Sequence, residues 1–356
     1  MEIKIIYSLD FNPNIQAEME VIENLKKYGY DFTVIDWVKE MGFEYFHYPT
    51  AEQVKQLYDK KDQKLINLYQ KIRDLSRTHD VLIVNQSHIY IPEFIESLQN
   101  IYKVFYSGDD PDASNYCSKP YVKCYDHIFS AAVNFDKNIK MCDQFLAWGA
   151  KKANWWPLGF REDGYSQSLS IENIYKKTRD IDLIFVGEIT EKRRDFLICL
   201  KKHFPQMKIY GRGFQKFKWR FLINLFFILK TRTWCWFSYL PQNEMVKIYQ
   251  RTKIGINMHW SYGPSNVRTY QLPANGVMEI CDCLEGLGDV FKINSEVIGY
   301  NTEEEAIKLI NYYLKNDDER KKIAAKGFER SVHEYKREIT FSKALVQIQN
   351  HIKKLD

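Results

Sequence analysis

The chain reads as two α/β domains, each a doubly wound parallel sheet. Three observations predict this. Short apolar runs alternate with segments of helical period through the first half. The alternation restarts after Trp155-Trp156-Pro157-Leu158-Gly159, and only helical period follows Thr302. Strands separated by helices demand crossover connections, hence a parallel sheet covered on both faces.

The elements follow in order. Ile3–Tyr7 is a short apolar run suited to a buried strand, and Ile15, Met19, Ile22 and Leu25 recur at helical spacing. Gly29 stops that helix, and Phe32–Ile35 is a second strand. The lysine-rich stretch Ala51–Arg77 reads as a solvated helix or helix pair. Val81–Val84, Lys103–Tyr106 and Ile128–Ala131 continue the strand series. In the second half, Asp180–Gly187 and Met207–Gly211 are strands ending in glycine, with the helix Glu191–His203 between them. Lys253–Met258 and Val277–Cys281 are further strands. Pro157, Gly159, Gly164 and Ser166–Ser170 mark a polar linker. The expected boundaries are 1–160 for the first domain, 161–178 for the linker, 179–335 for the second domain and 336–356 for a closing helix.

Composition agrees with two cores. The 356 residues are 45% hydrophobic and 27% charged, with 16 glycines, 10 prolines and a net charge of +5. Disordered, collagen-like and mucin-like classes fall away. The start, Met1–Tyr7, is charged too early for a signal peptide, and no apolar run reaches the about 18 residues of a membrane span. The seven cysteines, Cys117, Cys124, Cys142, Cys199, Cys235, Cys281 and Cys283, form no Cys-x-x-Cys pair, so reduced thiols in the cytoplasm and no metal site are expected.

Ligands of such sheets sit beyond the carboxyl ends of the strands, so the loops there hold the candidates. The loop Ser8–Asn14 contains no glycine, and no Gly-x-x-x-x-Gly-Lys-Ser/Thr run exists. NAD, FAD and P-loop chemistry are disfavoured, and no cofactor is expected. Ile184–Glu188 runs into Glu191-Lys192-Arg193-Arg194: a strand, a glycine turn and a basic helix start, suited to a diphosphate or simply to solvent. Ser265 or Asn266 can cap a helix that carries Arg268 one turn in, again suiting an anion or an ordinary cap. Asp109 and Asp110 follow a strand and could act as a base on an acceptor hydroxyl, although Asp-Asp-Pro-Asp is also turn chemistry. His88, His259 and His127 follow or open strands; His127 reads as structural.

Taken together, Phe185-Val186-Gly187, Arg193-Arg194, Ile256-Asn257-Met258-His259, Gly263, Asn266-x-Arg268-x-Tyr270, Ala274-x-Gly276 and Cys281-Asp282 resemble the CgeB-like glycosyltransferases. Asp109-Asp110-Pro111, Tyr125–Phe129, Trp156–Gly159 and His333-Glu334-Tyr335 with Arg337 extend the resemblance over about residues 100–345. It implies a GT-B enzyme: two Rossmann-like domains facing a cleft, a helical C-terminal end, and metal-independent transfer from a nucleotide sugar to a glycan or lipid-linked acceptor. Catalytic candidates are then Asp109, Asp110 and His88. Donor candidates are Gly187, Arg193, Arg194, Tyr239, His259, Gly263, Ser265, Asn266, Arg268 and Gln271. Gln271 departs from the family, which carries a glutamate there for the ribose hydroxyls. Pro273 implies a very short helix. Two alternatives stay open: a nucleotide-sugar epimerase of the same two-domain shape, and a silent sugar-nucleotide-binding protein.

One segment lies outside this pattern. Between Asp195 and Glu244 there is no acidic residue, while nine lysines and arginines and many aromatic residues crowd in. The stretch 212–237 suits an anionic membrane surface, a buried helix under a basic rim or a partner surface. Nucleic acid is not expected, because the aromatic residues bunch together instead of alternating with the basic ones.

Overall fold

The computed structural model describes residues 3–10, 15–45, 48–85, 87–211, 240–259, 262–264, 266–282 and 285–354, with Leu222, Leu225, Phe226, Ile228 and Leu229. The chain divides into two compact units. One comprises Met1–Arg161, Ser261–Ser265 and Arg337–Asp356; the other comprises Glu162–Trp260 and Asn266–Lys336.

The first unit carries a six-stranded parallel sheet in the order β2-β1-β3-β4-β5-β6. Its strands are β1 (Ile3–Leu9), β2 (Tyr30–Asp36), β3 (Val81–Asn85), β4 (Tyr102–Ser107), β5 (His127–Ser130) and β6 (Ala153–Trp155). Alternate residues fill two cores. Ile6, Leu82, Val84, Phe105 and Ile128 pack with Val54, Leu65, Tyr69, Ile72 and Phe94 on one face. Ile5, Tyr7, Ile83, Val104 and Phe129 pack with Val21, Ile22, Leu25, Phe341 and Leu345 on the other. Burial on both faces is why these strands are continuously apolar rather than alternating.

The lysine-rich stretch resolves into a helix pair, Ala51–Asp59 and Gln63–Leu75, started by caps from Thr50 and Asp62. The closing helix Arg337–Ile352 belongs to this unit. Its first residue is buried: the Arg337 N–H donates to the Phe160 carbonyl at 2.7 Å, and the guanidinium lies over Tyr106 and Trp156, 5.3 Å from each ring, and beside Glu18 at 3.6 Å. A paired charge inside an aromatic cage avoids the cost of an isolated one.

The second unit carries five parallel strands in the order β11-β10-β9-β7-β8. They are β7 (Ile181–Val186), β8 (Lys208–Tyr210), β9 (Thr252–Asn257), β10 (Met278–Asp282) and β11 (Ile298–Tyr300). One face packs on Phe196, Leu197, Ala306, Ile310 and Phe328; the other lies under Met245, Tyr249 and Leu272. Arg179 ties the ends of two helices to the sheet, donating to the carbonyls of Tyr249, Thr252 and Asn275 at 2.7–2.9 Å.

Two strands escape the sequence reading. β6 and β11 have three residues each, like β8, but no glycine closes them as Gly211 closes β8. The helical end divides into Glu303–Lys315, Asp317–Glu334 and Arg337–Ile352. Among the described residues, no helix is long and apolar enough to cross a membrane.

Candidate functional site

The strand order locates the site in the second unit. β7 starts the sheet, β8 adds on one side and β9 on the other, so the order reverses between β7 and β9. Ligands of doubly wound sheets bind at such a switch point, outside the carboxyl ends. Gly187 closes β7, and Met258 and His259 follow β9.

Gly187 is required by what lies against it. A Cβ there would meet the Arg268 guanidinium at 2.6 Å, so the glycine lets that side chain cross the turn. The Arg268 guanidinium stacks over Phe185, 4.6 Å from the ring centre, and one of its terminal nitrogens has no hydrogen-bond partner. Burial holds its pKa below the ordinary arginine value, against raising by Tyr249 and Glu279. An arginine desolvated beside a strand end, with a terminal nitrogen lacking an acceptor, is built to receive an anion.

Arg193 behaves differently. The helix Glu191–His203 begins where the sequence placed it, capped by Thr190. Arg193 then spends its terminal nitrogens on the carbonyls of Glu188 at 3.0 Å and Met258 at 2.7 Å. Burial lowers its pKa to about 10. It ties the β7 loop to the end of β9, a framework role where the sequence suggested direct anion contact. Arg194 is partly exposed and bonded to Asp195 at 2.7 Å.

The helix Arg268–Ala274 is held by a hydrogen-bond network that the sequence only hinted at. Asn266 sits two residues before it and accepts from the Thr269 N–H at 3.1 Å, the capping job expected of it. The Asn266 amide donates to Asn257 at 3.1 Å, and Asn257 donates to Thr269 at 3.0 Å and to Glu279 at 2.7 Å. Burial pushes the Glu279 carboxyl up to about 8. His259 bonds Asp282 through Nδ1 at 2.7 Å and Thr269 through Nε2 at 2.9 Å. Burial raises the Asp282 pKa, but the hydrogen bonds from His259 outweigh it and leave the carboxyl below its ordinary value. Thr269 and Glu279 were not singled out in sequence, and Asn257 and Asp282 entered only within the quoted family segments, with no role of their own. Their signal was weak, because each falls inside or next to an apolar run that reads as core.

Other candidates are placed elsewhere. Gln271 is buried with its amide against Gly164, where a Cβ would come within 2.6 Å of it. It packs the helix on the start of the second unit. Gly263 belongs to the first unit, where a Cβ would meet Ala132 at 2.7 Å and Pro111 at 3.2 Å. Tyr239 and Ser265 lie outside the described residues.

In the first unit, Asp109 is exposed, whereas Asp110 is buried and accepts from the hydroxyls of Ser114 and Ser118. Burial raises its pKa. Asp110 is therefore an anchor of the short helix Ser114–Cys117, and of the pair only Asp109 is open to solvent. His88 contacts Tyr121 at 3.3 Å and Cys117 at 3.7 Å, and burial lowers its pKa. His127 is structural, bonded to Asn154 at 2.8 Å. The structure adds Asp10, at the end of β1 beside β3, where the order of this sheet also reverses. Burial raises its pKa, with Asp36 and Asp109 adding to the effect.

The comparisons with known proteins follow this geometry. A family model described as glycosyl transferase-like matches residues 192–342. The Anabaena protein HepE, solved in complex with UDP, is similar with TM-score 0.67 and 11% identity, covering 98% of this chain and 100% of that one. A glycosyltransferase from Rickettsia africae has TM-score 0.67 and 14% identity, over 99% of both chains. The sucrose-phosphate synthase of Thermosynechococcus elongatus has TM-score 0.64 and 11% identity, over 99% of this chain and 100% of that one. The fold is GT-B. None of the curated proteins matches the chain. The matched region of this GT-B chain contains the Arg193 tie, the Arg268 helix and the His259–Asp282 pair.

Proposed function

We propose that the chain is a glycosyltransferase that moves a sugar from a nucleotide-sugar donor to a glycan or lipid-linked acceptor. The observation that carries this is Arg268: a desolvated guanidinium with one terminal nitrogen left without a hydrogen-bond partner, at the switch point of the second sheet. The glycosyl transferase-like match over residues 192–342 supports it, and so does the fold shared with a UDP complex.

In this reading the donor diphosphate lies on Arg268, and its charge in transfer is met by that guanidinium, with Arg194 at the rim and no metal required. Asn266 fixes the turn, and Asn257 and Thr269 fix Asn266. Gln271 stays the candidate for the ribose hydroxyls, with its amide beside Gly164. The acceptor belongs to the first unit, where Asp109 is the base or hydroxyl ligand and Asp10 is a second carboxylate for the same task. The acid-free segment holds the enzyme at an anionic membrane face, where a lipid-linked acceptor would be found.

The test has two parts. Thermal unfolding with nucleoside diphosphates and sugar nucleotides should show stabilisation by at least one of them. Release of free nucleoside diphosphate from that donor should then require an acceptor. Release without acceptor, with a changed sugar, marks an epimerase. Binding with no turnover under any acceptor marks a silent binding protein.

A further inference from the structure

At the carboxyl ends of β9 and β10, His259, Cys281 and Asp282 bring three different donor atoms together. Their ligand atoms lie within 4.8 Å of one another, the one such group among the described residues. His259 and Cys281 are buried; Asp282 is 23% exposed through its side chain and so opens the group to solvent. We propose that these three side chains form a site for a borderline-soft divalent cation, zinc in the first instance, separate from the transfer chemistry.

The dimensions argue for it. Zinc bonds of about 2.0–2.3 Å and tetrahedral angles put sulfur about 3.5 Å from each nitrogen or oxygen ligand, and nitrogen about 3.3 Å from oxygen. Here Cys281 Sγ lies 3.7 Å from His259 Nδ1 and 3.4 Å from Asp282 Oδ1. Two edges of the ligand triangle are thus in place. The third, Nδ1 to Oδ1, is a hydrogen bond of 2.7 Å and opens once its proton leaves.

The surroundings are those of a ligand set. His259 Nε2 has an oxygen partner in Thr269 at 2.9 Å, the outer-shell contact that fixes a metal-bound histidine. The second Asp282 oxygen accepts the His259 N–H at 2.8 Å, which holds the carboxylate. The chemistry balances. The Cys281 thiol gives its proton to solvent, and the proton that His259 Nδ1 shares with Asp282 moves to Nε2, which then donates to Thr269. One thiolate and one carboxylate neutralise the divalent ion, so no net charge is buried beside Arg193 and Arg268. Three protein ligands leave a fourth position for water.

The test uses nucleotide-free full-length protein and therefore stands apart from the donor reading. Protein loaded with zinc and desalted should retain one ion per chain. Cobalt in its place should show a thiolate charge-transfer band and the intense visible bands of tetrahedral cobalt. Calorimetry in two buffers should find one proton released per zinc. Cys281→Ser and Asp282→Asn should each weaken binding at least tenfold. Cys199→Ser should leave it unchanged, although it removes the cysteine near His203 on an exposed helix face. Wild-type protein that retains no zinc overturns the proposal. So does a cobalt spectrum without a thiolate band, or binding that survives Cys281→Ser or vanishes with Cys199→Ser. If Cys281→Ser fails to fold, the wild-type cobalt spectrum and Asp282→Asn decide.

Discussion

A single arginine separates anchoring from binding in this chain. Arg193 and Arg268 both flank the end of β7 and each keeps one nitrogen unpaired, but Arg193 keeps only Nε and has given both terminal nitrogens to carbonyls, whereas the unpaired nitrogen of Arg268 is a terminal one. Arg268→Ala should therefore cost about 1.5–3 kcal/mol of nucleoside diphosphate affinity, the range for a charge-assisted hydrogen bond. Arg193→Ala should chiefly lower the melting temperature. Isothermal titration of both variants checks this; equal affinity losses would return Arg193 to the ligand. His127 gives a residue-scale prediction of another kind. Burial lowers its pKa to about 3 from 6.5, so the unfolded chain takes up a proton that the folded chain refuses. Its share of stability is complete above pH 6.5 and is lost as pH falls toward about 3. His127→Gln keeps a donor for Asn154 but does not titrate. The melting-temperature gap between wild type and variant should accordingly narrow on acidification; parallel curves would show that His127 does not set the acid response.

Loops after strands are where element and function meet, and two glycines show it. A Cβ on Gly211 would sit 1.8 Å from the Gly187 carbonyl oxygen, so the ends of β7 and β8 can lie together only without that carbon. Gly211→Ala should destabilise by about 3 kcal/mol or more in denaturant unfolding. Gly187→Ala meets the movable end of Arg268 and is also strained at φ +157°, so it should reduce both nucleotide affinity and stability. The Asp109-Asp110-Pro111 loop makes a similar division. Asp110→Ala strands the Ser114 hydroxyl, while Ser118 keeps the Ser114 carbonyl, and costs about 1–3 kcal/mol for the one left buried and unsatisfied. Asp109→Asn should leave the fold and donor binding intact and abolish transfer. A stable Asp110→Asn that alone loses transfer would exchange the two roles. This division could not be read from sequence, because Asp-Asp-Pro names a turn without saying which carboxylate turns inward. The strands were legible because burial on both faces writes them as unbroken apolar runs, as in Val81–Val84 and Ile254–Ile256. The three-residue β6 and β11 carry no such run. Asn257, Thr269 and Glu279 were illegible because polar residues that satisfy one another inside a core leave no pattern in one dimension.

For the molecule as a whole, sequence continuity and structural membership differ. Residues 337–356 lie last in the chain but complete the first unit, with Arg337 caged by Tyr106, Trp156 and Phe341. The chain thus reaches its second unit and returns, leaving the acid-free stretch within the second unit. Most of its 212–237 part, including the basic residues Lys216, Lys218 and Arg220, lies outside the described residues. Of the described helical positions there, Leu222 is 50% exposed, Phe226 45% and Leu229 76%, with Leu225 also exposed and Ile228 half-buried. Positions 222, 225, 226 and 229 follow the i, i+3, i+4, i+7 pattern of one helix face, so an apolar stripe faces solvent. An exposed apolar stripe in a segment with no acidic residue matches an anionic bilayer in both terms of the binding energy. Lysine and arginine near the surface contribute about 1 kcal/mol each, screened within roughly 8 Å in physiological salt. Each leucine taken out of water adds about 1.5–3 kcal/mol, insensitive to salt. Replacing Lys216, Lys218 and Arg220 by Glu should therefore abolish flotation with anionic liposomes at low salt. Leu222→Ser with Leu229→Ser should weaken flotation at every salt concentration with an unchanged circular dichroism spectrum, since both side chains are already exposed in the free protein. Wild-type protein that stays with the soluble fraction at low salt would leave the stripe to a protein partner and remove the reason to favour a lipid-linked acceptor over a soluble glycan.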